Sequence, residues 1–116
     1  LTIAITLGAC SGSDTYRGSW KATDKNGTQI DIVFDENEFT LTEDGETQKF
    51  EYTQNSVNIK NSVETYGLKL GDGRSIKIHF PIGDDESKGA ILDGNGQPLY
   101  MISRKDYIGY DDVYGL

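Results

Sequence analysis

Residues 16–34 read YRGSWKATDKNGTQIDIVF, and this stretch decides the fold class. Small or apolar residues alternate with polar ones on both sides of a central turn, and a period of two is the pattern of a strand with one buried face. Asn26-Gly27, between the two runs, is the strongest short signal for a β-hairpin. The stretch therefore predicts two antiparallel strands. Their inward residues are Tyr16, Gly18, Trp20, Ala22, Ile30, Ile32 and Phe34.

The same period continues through most of the remaining chain, interrupted by short clusters of Asp, Asn, Glu and Gly. We expect a turn at 54–56 and loops at 61–65 and 83–89, and no segment shows a helical period of useful length. Eight or nine short strands, spaced about ten residues apart, are typical of an all-β antiparallel up-and-down meander. The sequence predicts that this meander forms a small barrel, with a β-sandwich as the alternative. The further inward residues are Phe39, Leu41, Phe50, Tyr52, Tyr66, Leu68, Leu70, Ile76, Ile78, Phe80 and Ile82.

The composition limits the classes of partner. The 116 residues carry a formal net charge of −8. Nucleic-acid binders derive most of their affinity from basic residues, so this charge argues against them, and it also argues against docking on anionic lipids by charge. The one cysteine excludes an intramolecular disulfide. A chain of this length has room for one small domain with a single core, and we expect a monomer.

The N-terminal stretch has a different character. Leu1–Leu7 is apolar, Leu7-Gly8-Ala9-Cys10 closes the run, and a Ser-Gly-Ser segment follows. This order resembles the end of a bacterial lipoprotein signal, in which such a tetrapeptide (the lipobox) precedes cleavage and the cysteine becomes the lipidated N-terminus. The resemblance implies removal of residues 1–9, a diacylglycerol on Cys10, a polar tether over 10–15 and an anchor on the extracellular face of the cell membrane. The alternative is an apolar strand that ends at a buried Cys10.

A second resemblance rests on Gly18-Ser19-Trp20. It is similar to the Gly-x-Trp motif that opens the first strand of lipocalins and of lipocalin-like bacterial domains. In those folds the Trp plugs one barrel end, and an Arg from the last strand lies over it. The resemblance implies that Arg104 is the corresponding arginine here. With the lipobox, the general type is a small Gram-positive surface lipoprotein of unassigned activity, with a barrel over 16–104 and a tail over 105–116.

Catalytic and metal-binding patterns do not emerge from the sequence. The one histidine, His79, falls on the outward face of its predicted strand, and no nucleophile, acid and base can be assembled around it. The Asp24–Gly27 and Asp93–Gly96 segments lack the Gly and Glu that a helix-loop-helix calcium site requires at its sixth and twelfth positions. We therefore expect hairpin turns there, no metal site, no cofactor and no enzymatic activity.

Two acidic or aromatic segments are candidates for binding a partner. The C-terminal tail carries three tyrosines, which offer large amphipathic contact area at low entropic cost. An acidic loop precedes the last two strands. The alternatives are that the tail packs on the barrel and that the loop is a solvated charge cluster. The candidate residues are Tyr107, Tyr110, Tyr114, Asp84, Asp85 and Glu86.

Together these features predict a membrane-anchored, non-enzymatic binding domain whose macromolecular partner is a basic protein or peptide. An acidic inhibitor or immunity lipoprotein, directed against a cationic cell-wall hydrolase or peptide, is the alternative within binding. A lipocalin-like barrel for a small ligand is the third reading. An open lined cavity would favour the small ligand, whereas a filled barrel with an exposed aromatic patch would favour a protein.

Overall fold

The chain forms a closed antiparallel barrel in a computed structural model that describes residues 14–83 and 85–114. Each strand pairs with the next along the chain, and the last pairs with the first. The predicted all-β meander and small barrel are confirmed, and the sandwich alternative is wrong. The lipobox residues Leu7–Cys10 and the candidate Asp84 lie outside the described residues. The elements are β1 (Gly18–Asp24), β2 (Gln29–Phe34), β3 (Glu38–Glu43), β4 (Glu46–Lys60), β5 (Val63–Leu70), β6 (Ser75–Phe80), β7 (Lys88–Asp93), β8 (Pro98–Ser103) and α1 (Tyr110–Tyr114).

The period-two pattern determines the inner face. In β2, exposed and buried residues alternate along the whole strand. Trp20 of β1 pairs with Ile32 of β2, so that apolar residues meet on the same side of the sheet. Closure comes from β1 and β8, where Lys21 is in register with Ser103. Because the barrel closes, most strands have no free edge.

The barrel has two different ends. At the open end lie the tight turns that join β1 to β2, β3 to β4, β5 to β6 and β7 to β8. At the closed end the chain enters at Asp14, β4 turns into β5, and β8 leaves toward Arg104. These two names are kept below.

Two turns at the open end have the same construction. In each, an aspartate Oδ1 accepts hydrogen bonds from two backbone N–H groups: Asp24 from Asn26 and Thr28, and Asp93 from Asn95 and Gln97. The carboxylates thus stabilise turns through backbone groups. The expectation of hairpin turns at these positions is confirmed.

Three local predictions were wrong. Residues 54–56 are a β-bulge within a continuous β4, and the 61–65 loop is only a two-residue turn, Asn61-Ser62, with φ of 54° and 66°. The reason is that residues 54–56 are a polar run without alternation, a composition that is typical of a turn and that here accompanies the bulge. In β6 the strand ends at Phe80, before Pro81, and Ile82 therefore lies in the following loop.

Candidate functional site

The closed end is plugged by an aromatic ring beneath a guanidinium group. Trp20 is 1% exposed, and Cζ of Arg104 lies 3.7 Å from its ring centroid. The same guanidinium donates hydrogen bonds to the backbone carbonyls of Thr15, Arg17 and Ser19. Burial lowers the pKa of Arg104, which still remains protonated at neutral pH. This is the arrangement that the resemblance to lipocalins implied, and it holds the entering chain to the end of the barrel.

Gly18 explains the glycine of the Gly-x-Trp motif. Its φ of +101° is a backbone conformation that L-residues rarely adopt. A Cβ at this position would also lie 3.2 Å from the Nη1 atom of Arg104. The glycine therefore lets the backbone turn and leaves room for the guanidinium.

Side chains fill the barrel interior. The ring of Tyr16 packs at 5.2 Å from Tyr66 and 5.4 Å from Phe34, measured between centroids. Burial and the hydrogen bond from its hydroxyl to Glu64 raise the pKa of Tyr66 to about 12. At the open end a cavity of about 130 Å³ remains, well below the roughly 300–1,000 Å³ of typical ligand pockets. It is lined by Ile30, Leu41, Glu43, Glu46, Gln48 and Tyr100.

Residues 105–114, which we call the strap, cross the outer surface of the barrel. Tyr107 donates a hydrogen bond from its hydroxyl to Asp31 on β2, and the Lys21 ammonium lies 5.0 Å from its ring centroid. Further along, Val113 is buried against Ala90 of β7 and Met101 of β8. The expectation that the tail packs on the barrel is therefore met by part of it.

The helical turn α1 covers the histidine. Tyr114 stacks on His79 at 6.4 Å and on Tyr110 at 4.7 Å, and the His79 Nδ1 lies 2.8 Å from the Thr65 hydroxyl. His79 is on the outer face, as predicted, but it is half-buried, with the ring of Tyr114 stacked on it. Burial lowers its pKa, because it disfavours the charged imidazolium.

The strap and the open end enclose a groove of about 330 Å³, which we call the strap groove. Tyr110 and Leu99 line this groove, and 49% and 38% of their respective surfaces are exposed. The hydroxyl of Thr23, also in the lining, is buried and has no hydrogen-bond partner among the described residues. The groove is thus lined mainly by apolar side chains, together with the polar residues Thr23, Asp24 and Lys25. Its lining is Thr23, Asp24, Lys25, Gly27, Pro98, Leu99, Tyr100, Met101, Ile108, Gly109 and Tyr110.

Of these lining residues the sequence had pointed only to Tyr110 as a candidate for binding. For the lining residues of β8, the sequence does contain a signal. Apolar residues follow one another without alternation through Leu99–Ile102. Such a run indicates a strand covered on both faces. Tyr100 and Ile102 belong to the barrel core, and the outward Met101 lies under the strap.

The acidic loop lies at the other end of the barrel from Tyr110. It joins β6 to β7 at the closed end, whereas Tyr110 lines the strap groove at the open end. Within the loop, the Ser87 hydroxyl and backbone N–H both donate to Oδ1 of Asp85, and they lower the pKa of that carboxyl. Glu86 is exposed. The structure therefore places Tyr110 and the loop residues Asp85 and Glu86 at different ends of the barrel, whereas Tyr114 stacks on His79, close to the end of β6 that leads into the loop. Tyr107 lies apart from the stacked pair, against Lys21 and Asp31.

No group of three or more His, Cys, Asp or Glu side chains within residues 14–83 and 85–114 is arranged to hold a metal ion. In the part of the chain that the structure describes, no helix has the length and apolar character needed to cross a bilayer. No known protein family, curated protein or solved structure gives a significant match to this chain.

Proposed function

We propose that the protein is a membrane-anchored, extracellular binding domain that holds a macromolecular partner at the strap groove without catalysing a reaction. The observation that carries the proposal is the strap groove itself, an apolar depression on the outside of a filled barrel. Exposed Tyr110 and Leu99 stand at its rim. Such a site fits an apolar anchor side chain of another protein better than it fits a free small molecule.

The filled interior supports a protein partner over a lipocalin-type ligand. Tyr16, Trp20 and Phe34 occupy the space that an interior ligand would need, each with 1% or less of its surface exposed. The lining also carries Asp24 and the exposed Lys25, which can contact polar groups of a docked partner. This combination of apolar walls and a few polar groups is typical of a pocket for one side chain or a short peptide segment.

The charge indicates the chemistry of the partner. A net charge of −8 attracts cationic molecules at a range of about 8 Å at physiological salt, the Debye length. A basic protein or peptide therefore approaches faster than a neutral one, while the groove contacts set how long it stays. If the basic partner is a cationic cell-wall hydrolase, the protein acts as an acidic inhibitor of that enzyme. This alternative uses the same strap groove.

The proposal includes a lipid anchor on Cys10. Lipidation of this cysteine would place the barrel on the outer face of the cell membrane. Two acyl chains bind a bilayer stably, at about 0.8 kcal/mol per buried methylene, where one chain is marginal. The residues from Asp14 onward form a complete barrel, as expected of a domain carried on a short tether.

The test is capture of partners from envelope extract by immobilised protein. We expect a basic protein or peptide to bind wild type and to be lost with Leu99→Ser and Tyr110→Ala. Val33→Ser is the matched control, because Val33 is 37% exposed on the outer face of β2 and does not line the strap groove. Equal capture by all variants, or an acidic partner, would contradict the proposal.

A further inference from the structure

At the closed end, strand β4 of the β4–β5 hairpin extends beyond its neighbour β3, while β5 stays paired with β6 as far as Glu64. Strand β3 pairs with β4 only as far as Glu51, but β4 continues to Lys60 and pairs there with β5. Two apolar side chains lie in this extension. Val57 is 52% exposed and Ile59 60%, the highest values among the large apolar side chains of the described residues.

Both side chains lie on one face of the hairpin. Val57 is in register with Tyr66 and Ile59 with Glu64, alternate residues of β5 on the side that lines the barrel interior further down. The hydroxyl of Tyr66 lies 3.2 Å from Thr15 Oγ1, which places this face next to the segment through which the chain enters the barrel. The apolar pair therefore stands at the closed end, beside the entry of the chain.

The length of chain before the barrel restricts where this end can lie. Three residues lie between Cys10 and Asp14, so four Cα–Cα steps join them and their Cα atoms are at most about 14 Å apart. If Cys10 carries the lipid, as in the proposed function on which this inference rests, the closed end is held within that distance of the headgroups. The hairpin extends from the same end, whereas Leu99 and Tyr110 lie at the other.

We propose that the tip of the β4–β5 hairpin rests on the lipid surface, with Val57 and Ile59 at the boundary between headgroups and acyl chains. Two aliphatic side chains on a rigid hairpin add apolar contact to the anchor and fix the tilt of the barrel. Charge does not provide this contact, because a domain with a net charge of −8 gains nothing from anionic headgroups. The open end and the strap groove then face away from the membrane.

A second copy of the chain is the competing occupant. Beyond Glu51 the β4 edge that faces away from β5 is not paired with β3, and an unpaired edge can accept a strand from another molecule. Antiparallel pairing of two β4 strands would also cover Val57 and Ile59. The experiment distinguishes this occupant from the lipid surface.

The full chain is coupled through the thiol of Cys10, its one cysteine, to a maleimide-bearing lipid in phosphatidylcholine vesicles. Ile59→Trp is compared with Leu99→Trp, and the buried Trp20 supplies a constant background in both. Both substitutions lie at exposed positions, and circular dichroism checks that each variant keeps the β-barrel. We expect the emission of Ile59→Trp to shift to the blue on coupling and to be quenched by lipids brominated near the headgroup. The emission of Leu99→Trp should show neither change.

Equal quenching of the two variants, or quenching of neither, overturns the lipid contact. A blue shift of Ile59→Trp that is complete without vesicles, with a dimer by light scattering, overturns it in favour of a second copy. Replacing a third of the phosphatidylcholine by phosphatidylglycerol should leave the quenching unchanged, and a large increase would contradict the apolar mechanism. Because the coupling is chemical, the vesicle result is independent of whether cells lipidate Cys10, so the two proposals fail separately.

Discussion

Cζ of Arg104 lies 3.7 Å from the centroid of the Trp20 ring, and this contact joins the last strand of the barrel to the first. The guanidinium also donates hydrogen bonds to three backbone carbonyls where the chain enters the barrel and begins β1. One side chain thus stabilises both the ring and the chain entry at the closed end.

The first prediction concerns that guanidinium. Arg104→Lys should lower the free energy of unfolding by about 2–4 kcal/mol, because an ammonium cannot stack flat on the indole and reach three carbonyls together. Urea titration followed by tryptophan fluorescence measures the loss. Arg74→Lys is the control, since Arg74 is exposed, pairs with Asp72 and lies 5.6 Å from the Phe50 ring centroid, a longer contact than that of Arg104 with Trp20. Equal stability of wild type and Arg104→Lys would show that the contact contributes nothing.

The second prediction separates backbone strain from crowding at Gly18. Gly18→Ala and Gly27→Ala both place a Cβ at positive φ, but only the first brings it near another atom, Nη1 of Arg104. We expect a cost of about 1 kcal/mol for Gly27→Ala and at least about 1 kcal/mol more for Gly18→Ala. Thermal unfolding measures both. A cost at Gly18 no greater than that at Gly27 would mean that Arg104 moves aside freely.

The third prediction is a pH dependence. Burial lowers the pKa of His79 in the folded protein, whereas the unfolded imidazole titrates at about 6.5. The unfolded chain therefore binds the proton first, and stability falls as the pH drops from about 7 through the unfolded pKa until the native imidazole is protonated as well. Wild type should thus lose more stability than His79→Gln between pH 7 and 5. Lys77→Gln, on the same outer face, should keep the wild-type slope.

The fourth prediction distinguishes the two roles of the strap. Val113→Ala should destabilise the domain by about 1–3 kcal/mol, because Val113 is fully buried against Ala90 and Met101. Tyr110→Ala, at a largely exposed position, should cost under about 1 kcal/mol while abolishing partner capture. Calorimetry and the capture assay give the two readouts. If Tyr110→Ala unfolds the domain, the tyrosine is structural and the strap groove loses its main support.

The fifth prediction concerns the anchor. Expressed in a bacterium that processes lipoproteins, wild type should partition into the membrane fraction and carry a lipid mass on Cys10. Cys10→Ala should be released or remain unprocessed. Mass spectrometry of the N-terminal peptide measures this directly. A fully soluble wild type without lipid would end the anchor proposal.

The alternation of residues was enough to predict the all-β meander and its inward faces, because burial on one face imposes a period of two wherever a strand lines the core; alternation alone left the barrel and the sandwich both open. Trp20 and Arg104 were predicted together only through the resemblance to lipocalins; nothing in their spacing places one over the other. The prediction failed at Gln54-Asn55-Ser56, where a polar run that is typical of a turn is instead a β-bulge within the continuous strand β4. The helical turn α1 has five residues, too few for a helical period to be visible.

The strap groove was beyond prediction for a different reason. Its walls come from the first hairpin, from β8 and from the strap, segments that are distant in sequence and meet only after the barrel closes. Alternation reports whether a residue faces the core, but it does not report where the tail lies on the outside. Even so, the uninterrupted apolar run around Met101 indicated that something covers the outer face of β8.

Closure of the barrel also has a consequence for the order of folding events. Every pairing except that of β1 with β8 joins strands that are consecutive in the chain, so local hairpins can form early. The closing pair, by contrast, joins the first strand to the last, and Arg104 follows immediately after it. A chain that emerges N-terminus first from a ribosome or a translocation channel therefore cannot seal its barrel until nearly all of it is out.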